Sequence, residues 1–236
     1  MVVGLGPGGS EFLTFRAKAA LEEAQVIIGY KTYLGFIEDL LTGKQVISSG
    51  MRKEIERAGL AVQYARQGQT VAVVSSGDPG VYGMAGLILE LVPESVEVEV
   101  IPGVTAATSA AAVLGAPLMH DFAVISLSDI LTPWETIAQR LHAAAQADFI
   151  IVLYNPKSKG RDTQIARARD IIRSHRQDDT PVGIVRNAKR RGEYRVLTTL
   201  GNMLDEDIDM LSTVIIGNSQ TRIENGHMVT PRGYRL

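Results

Sequence analysis

The sequence predicts an α/β protein made of two consecutive α/β domains, residues 1–117 and 118–236. Three observations carry that expectation. Through the first half, short apolar β-branched runs alternate with segments of helical period, the pattern of a parallel sheet wrapped by helices. Three of those runs end alike, in the turns Gly4-Leu5-Gly6-Pro7-Gly8, Gly77-Asp78-Pro79-Gly80 and Pro102-Gly103. A break at Gly115-Ala116-Pro117 then interrupts the pattern, and the chain beyond it ends rich in strands.

Val2–Leu5 reads as a buried first strand, followed by a helix at about Thr14–Ala24 whose Ala17, Ala20, Leu21 and Ala24 share a face. Val26–Ile28 is a second strand, Tyr30–Leu41 a helix and Val46–Ser48 a third strand. Arg52–Gln67 sets Ile55, Ala58, Val62 and Ala65 opposite its charges, as an amphipathic helix does. The strand Thr70–Ser75, a helix near Met84–Leu91, the strand Val96–Ile101 and the Ala-rich helix Thr105–Leu114 complete the first domain. In the second, the strand Phe122–Leu127 precedes a helix with Thr132 at the N-cap, Pro133 at its first position and Glu135 at its third, a capping box. Asp148–Tyr154 and Pro181–Arg186 are strands on either side of the helix Thr163–His175. Glu193–Leu200 and Ser212–Ile216 close the series.

Composition narrows the function. With 45% hydrophobic and 21% charged residues, the chain is of globular type. Its apolar runs fall short of a membrane span. A net charge of −2 argues against nucleic acid as a partner. The absence of cysteine excludes disulfides and thiolate chemistry, and with no signal-peptide pattern it points to the cytoplasm. Metal signatures, catalytic triads and P-loops are not found.

The three turns carry the chemistry. Gly4, Gly6 and Gly9 match the dinucleotide fingerprint G-x-G-x-x-G, which requires a helix opening at once and an acidic residue about 20 positions on. Here the helix starts near Thr14 and the second strand runs into Gly29-Tyr30-Lys31, so the nicotinamide reading fails. A phosphate cradle needs backbone N–H groups, yet Pro7, Pro79 and Pro102 each remove one. Turns of this kind suit a ligand with a positive or polarised centre, and S-adenosylmethionine, with its sulfonium, is one. In the second domain His120 and Asp129 flank a strand and are candidates for proton transfer. Asn155 and the Asn187-Ala188 pair end strands where ligand contacts are expected. Arg186, Lys189, Arg190 and Arg191 are either a solvated basic turn or a site for carboxylates.

On these residues the chain resembles the tetrapyrrole methylases. GLGPG at Gly4–Gly8, SSGDPGVYGMA at Ser75–Ala85 and IPGVTA at Ile101–Ala106 match the general pattern. GYKTY at Gly29–Tyr33, GAPLMHDF at Gly115–Phe122, Ser126–Trp134, ADFIIVLYNPKSKGR at Ala147–Arg161 and TVIIGNSQT at Thr213–Thr221 resemble the cobalamin-pathway branch that methylates C-17 of cobalt-factor III or precorrin-3B. The resemblance implies two α/β domains with S-adenosylmethionine in the cleft between them, usually in a homodimer, and methyl transfer coupled to contraction of the macrocycle. It places cofactor contacts at Pro7, Ser76, Gly77, Asp78, Val81, Thr105, Ala106, Asn155 and Ala188. Because the substrate carries many carboxylates, it also favours Arg186, Lys189, Arg190 and Arg191 as substrate contacts. GYKTY, GMRKEIERA at Gly50–Ala58 and TPRGY at Thr230–Tyr234 look more like the cobalt-using form. A sister methylase acting at C-11 or C-20, or a non-catalytic tetrapyrrole-binding protein, stays open at this level.

Overall fold

Five apolar runs of the first hundred residues pair into one sheet. A computed structural model describes residues 1–50, 53–158 and 160–234; Arg52, where the sequence starts the third helix, lies outside them. The strands β1 (Val2–Gly4), β2 (Val26–Tyr30), β3 (Gln45–Ser49), β4 (Val71–Ser75) and β5 (Val100–Ile101) lie in the order β3-β2-β4-β1-β5. Every pairing is parallel. Side chains alternate between faces, as strand geometry requires. Val3, Leu5, Ile27, Ala72 and Val74 join one core with Ala17, Ala20 and Leu21 of α1 (Phe15–Glu23). Val2, Val26, Ile28, Val71 and Val73 join the other, with α3 (Glu54–Arg66) and α4 (Ala85–Leu91).

That topology positions the site. The chain passes from β1 over β4 to β2 with α1 on one face, and from β4 over β1 to β5 with α4 on the other. Right-handed crossovers running in opposite directions across a sheet put their helices on opposite faces. The neighbours β1 and β4 therefore send their chains apart, which opens a crevice at their carboxyl ends.

Contacts divide the chain into Met1–Ala106 and Ala107–Leu236. The division precedes the Gly115-Ala116-Pro117 break because the helix α5 (Ala106–Leu114) packs with the second unit. Its Ala107, Ala110, Ala111 and Leu114 share a core with Ile150, Val152, Val185 and Ile215. The sheet there contains β7 (Phe122–Ser126), β8 (Ile150–Tyr154), β9 (Pro181–Arg186), β10 (Tyr194–Thr199) and β11 (Ser212–Ile216), ordered β10-β9-β11-β8-β7. α6 (Trp134–Gln146) and α7 (Gln164–Arg173) cover its other face. Since β11 is antiparallel to both β8 and β9, and β7 is parallel to β8, the strands β7, β8 and β9 all end at one edge.

Some local expectations change. The helix expected at Tyr30–Leu41 is α2 (Lys31–Leu34) followed by a 3-10 segment Gly35–Leu40, broken by the non-helical Ile37 (φ −128°, ψ 27°). The capping box does not form: Pro133 itself is the N-cap of α6, at ψ 142°, with no side-chain cap bond. Its carbonyl accepts from Ile137 N at 3.2 Å. A three-stranded sheet went unanticipated, formed by β6 (Gly115–Ala116), β12 (Arg222–Glu224) and β13 (His227–Val229) in the order β12-β13-β6. No helix among the described residues is long and apolar enough to cross a membrane.

Candidate functional site

The three Gly/Pro turns extend from adjacent strands, β4, β1 and β5, and meet in direct contact. Gly6 and Gly77 exchange both backbone bonds: Gly6 N donates to Gly77 O at 3.0 Å and Gly77 N to Gly6 O at 2.7 Å. Gly103 closes the group. A Cβ there would lie 2.2 Å from Gly77 O, 2.8 Å from Gly4 C and 2.9 Å from Gly6 N, all backbone atoms that cannot move aside. Only glycine lets three main chains approach so closely. Gly77 lies beside Thr105 and Ala106, since a Cβ on it would rest 3.7 Å from Thr105 Cα and 3.8 Å from Ala106 N.

Asp78 joins the second turn to the third. Its Oδ1 accepts from Gly80 N at 2.8 Å and its Oδ2 from Gly103 N at 3.0 Å. Both oxygens of the one carboxylate in these turns thus hold main chain. The loop then folds back on its own strand, with Met84 N donating to Ser75 Oγ at 3.3 Å and Ala85 N to Pro79 O at 2.9 Å. Val81 N donates to Asp78 O at 3.3 Å. The first unit therefore brings Ser76, Gly77, Asp78, Val81, Thr105 and Ala106 together, with buried Pro7 directly after the Gly6 junction.

The donor set tests the ligand class. The N–H groups of Gly6, Gly77, Gly80 and Gly103 are all engaged within the protein, and Pro7, Pro79 and Pro102 have none. An anion would find those donors occupied. A cationic or neutral ligand that uses main-chain acceptors and glycine-flat surface fits these turns, and S-adenosylmethionine meets that description.

Two supporting residues escaped the sequence reading. Arg57, only 4% exposed, reaches from α3 to the end of β3, donating from Nε to Ser49 Oγ at 2.8 Å and from Nη2 to Gly50 O at 3.1 Å. Its Nη1 lies 3.6 Å from Met84 Sδ, just ahead of α4. Arg161 does similar work in the second unit. It is 6% exposed and donates from Nη1 to Leu127 O at 2.8 Å and to Asn155 O at 2.6 Å, tying together the loops after β7 and β8. Its Nε has no partner among the described residues, and burial pulls the guanidinium pKa downward while Asp129 pushes it up. Neither arginine stands out in the sequence, because Arg57 lies in a charged helical segment and Arg161 in a polar loop, where pattern reading assigns an arginine to solvent.

Around Arg161 lie several expected residues. Asn155 adopts the left-handed conformation (φ 51°), which asparagine tolerates better than most residues, and its Nδ2 donates to Ser126 Oγ at 2.9 Å. Asp129 Oδ2 accepts from Gln164 Nε2 at 2.8 Å. Tyr154 Oη accepts from Ala107 N at 2.6 Å, fixing the start of α5. At the same edge Asn187 (φ 52°) and Lys189 (φ 58°) turn the chain after β9, carrying Ala188 between them. Asp129, Asn155 and Ala188 thus share one sheet edge. His120 does not: it precedes β7, whereas Asp129 follows it, so the strand separates the proposed proton-transfer pair.

The basic cluster divides. Arg186 Nη1 pairs with Asp207 Oδ2 at 3.0 Å and Asp209 Oδ2 at 3.7 Å, so its charge is already met. Lys189, Arg190 and Arg191 sit in a turn shaped by Glu193, whose Oε2 accepts from Lys189 N at 2.6 Å. Arg191 is exposed. Among the described residues no three His, Cys, Asp or Glu side chains gather as a metal site.

The comparisons agree with this geometry. The family of tetrapyrrole (corrin/porphyrin) methylases matches residues 1–204. A relative from Salmonella typhimurium, described as a probable cobalt-factor III C(17)-methyltransferase, is 51% identical over 100% of this chain and 99% of its own length. The crystal structure of the methyltransferase CobJ superposes with a TM-score of 0.91 at 38% identity, covering 98% of each chain. A uroporphyrin-III C-methyl transferase from Thermus thermophilus complexed with S-adenyl homocysteine gives 0.71 at 28% identity, covering 92% of this chain and 95% of that one. Turns, topology and full-length likeness lead to one conclusion: this chain belongs to the tetrapyrrole methylases.

Proposed function

We propose that the chain methylates C-17 of cobalt-factor III with contraction of the macrocycle, using S-adenosylmethionine as methyl donor, in cobalamin biosynthesis. The observation that carries this reading is the full-length likeness to the Salmonella protein described as acting at C(17), over the same turns that the fold brings together. S-adenosylmethionine supplies a methyl carbon already activated by its cationic sulfur.

The residues that would hold it are Pro7, Ser76, Gly77, Val81, Thr105 and Ala106, with Asn155 and Ala188 from the second unit. Asp78 acts one step back, keeping the second and third turns in register. The protein's task is to align donor and acceptor and exclude water, so no side-chain nucleophile is needed. Lys189, Arg190 and Arg191 meet the carboxylates of the macrocycle, while Arg186 stays with Asp207 and Asp209. Asp129, its Oδ2 held by Gln164, would exchange a proton at Oδ1.

Mass spectrometry of the product from matched cobalt-factor III and metal-free precorrin-3B tests the reading. One added methyl with ring contraction, faster on the cobalt substrate, is the expected result. Methylation without contraction would indicate a sister methylase. No turnover and no calorimetric binding of S-adenosylhomocysteine would overturn the methyltransferase reading.

A further inference from the structure

Away from these turns, two of the chain's four histidines come together on the second unit. His142 Nδ1 and His175 Nε2 lie 3.0 Å apart, with ring centroids 5.3 Å apart and planes at 83°. We propose that this pair is a two-ligand site for a late first-row divalent cation, Cu2+ or Ni2+ above the others.

The geometry argues for it. Two nitrogens bound to one metal at about 2.0–2.1 Å and at right angles lie about 2.9 Å apart. The observed separation suits the right-angled coordination of Cu2+ and Ni2+; a tetrahedral angle would need a wider spacing, about 3.3 Å, which makes Zn2+ the poorer match. Near-perpendicular rings let two imidazoles occupy neighbouring positions without collision. A metal would replace the single proton that the two nitrogens share in its absence. Water completes the coordination, because no third His, Cys, Asp or Glu joins the pair among the described residues.

The two side chains are mounted on a rigid support. His142 follows buried Leu141 on α6, and His175 comes just after Ser174, the C-cap of α7, its N–H donating to Ile172 O at 3.0 Å. Leu141, Ala144, Ala145, Ala168 and Ile172 pack α6 and α7 into one core, so the pair starts close to a chelating separation. The arginines that flank His175 in sequence are committed elsewhere: Arg173 pairs with Asp178, and Arg176 donates to Gly217 O and Phe149 O. The site is also remote from the proposed chemistry. α6 leads into β8 and α7 leads towards β9, which puts both helix ends at the strands' amino edge, while Asn155 and Ala188 lie at the carboxyl edge.

The test uses the full chain, freed of metal by chelation and titrated with Ni2+ and Cu2+ as salts. One Ni2+ per chain is expected by calorimetry, with a rise in melting temperature, since a ligand that binds only the folded state stabilises it. His142→Ala and His175→Ala should each lose both responses while keeping wild-type circular dichroism and methyl transfer. The Cu2+ electron paramagnetic resonance spectrum of the unaltered protein should show two coordinating nitrogens, a readout independent of any variant's folding. Equal binding by wild type and variants, or no binding by the wild type, would overturn the proposal and leave a hydrogen-bonded pair only.

Discussion

Replacing Asp78 with Ala removes both acceptor oxygens and leaves two main-chain N–H groups without the partner that joins the turns. The carboxylate accepts from Gly80 N at 2.8 Å on the exposed side and from Gly103 N at 3.0 Å on the partly buried side. A charge-assisted bond to the buried-side donor is worth about 1.5–3 kcal/mol, and the exposed one about 0.5 kcal/mol because water can replace it. Asp78→Ala should therefore destabilise the protein by about 2–3.5 kcal/mol. The strand ends stay paired through Leu5 N, which donates to Ser75 O at 2.9 Å, so the variant folds. If about half of the loss appears as turn disorder that binding must remove, affinity for S-adenosylhomocysteine falls roughly tenfold. Denaturant melts and calorimetry on the same sample give both quantities. Unchanged stability would refute the reasoning whatever the affinity does: an intact affinity would show the staple to be idle, and a lost affinity would move the carboxylate into direct contact with the ligand.

Gly103→Ala pushes a Cβ against three backbone atoms at 2.2–2.9 Å. It should abolish soluble folded protein or S-adenosylhomocysteine binding, whereas Gly80→Ala, whose Cβ meets only the Asp78 side chain at 3.2 Å, should be tolerated in both expression and binding assays. Arg161→Lys keeps the charge but cannot hold Leu127 O and Asn155 O with one planar group. It should lower kcat more than it raises the KM for S-adenosylmethionine, with a stability loss of about 1–3 kcal/mol for the carbonyl left unsatisfied. Arg16, bonded through Nε to Glu99 Oε1 at 2.8 Å, holds the Glu99 carboxyl below its usual 4.5. That tie contributes above the ordinary carboxylate pKa and is lost as pH falls through the depressed one. Glu99→Gln should thus flatten the acid limb of the stability curve, and high salt should shrink the difference because both groups are exposed.

The first unit was legible almost throughout because its signals are local. Its strands were legible as continuous apolar β-branched runs, and strand geometry then sends Val2 and Val3, like Val73 and Val74, into different cores. The three turns were legible because proline and glycine declare backbone geometry regardless of what surrounds them. What stayed hidden depends on partners distant in sequence. The three-stranded sheet rests on Gly115–Ala116 meeting Met228 and Val229, and two residues have no period to read. Asp78 read as an isolated carboxylate because its second partner, Gly103, lies 25 positions away. The helix α5 looked like the end of the first domain because its alanines are compatible with either sheet; only its packing on Ile150 and Ile215 decides.

The same distinction explains which residues the chemistry can recruit. In the first unit, glycines bring main chains within contact and in doing so consume the donors of Gly6, Gly77, Gly80 and Gly103. Those donors hold the protein to itself, so the turns present acceptor atoms and flat surface and discriminate against phosphate, to which the Asp78 carboxylate adds its own repulsion. In the second unit the bracing falls to arginine instead. Arg161 holds the carbonyls of Leu127 and Asn155 from within the core, which leaves the outer faces of those loops available to a ligand. A buried guanidinium bound to carbonyls alone carries a desolvation cost. The position is explained if fixing two loops at one strand edge matters more than stability, which is why the kcat of Arg161→Lys, rather than its melting temperature, is the informative measurement.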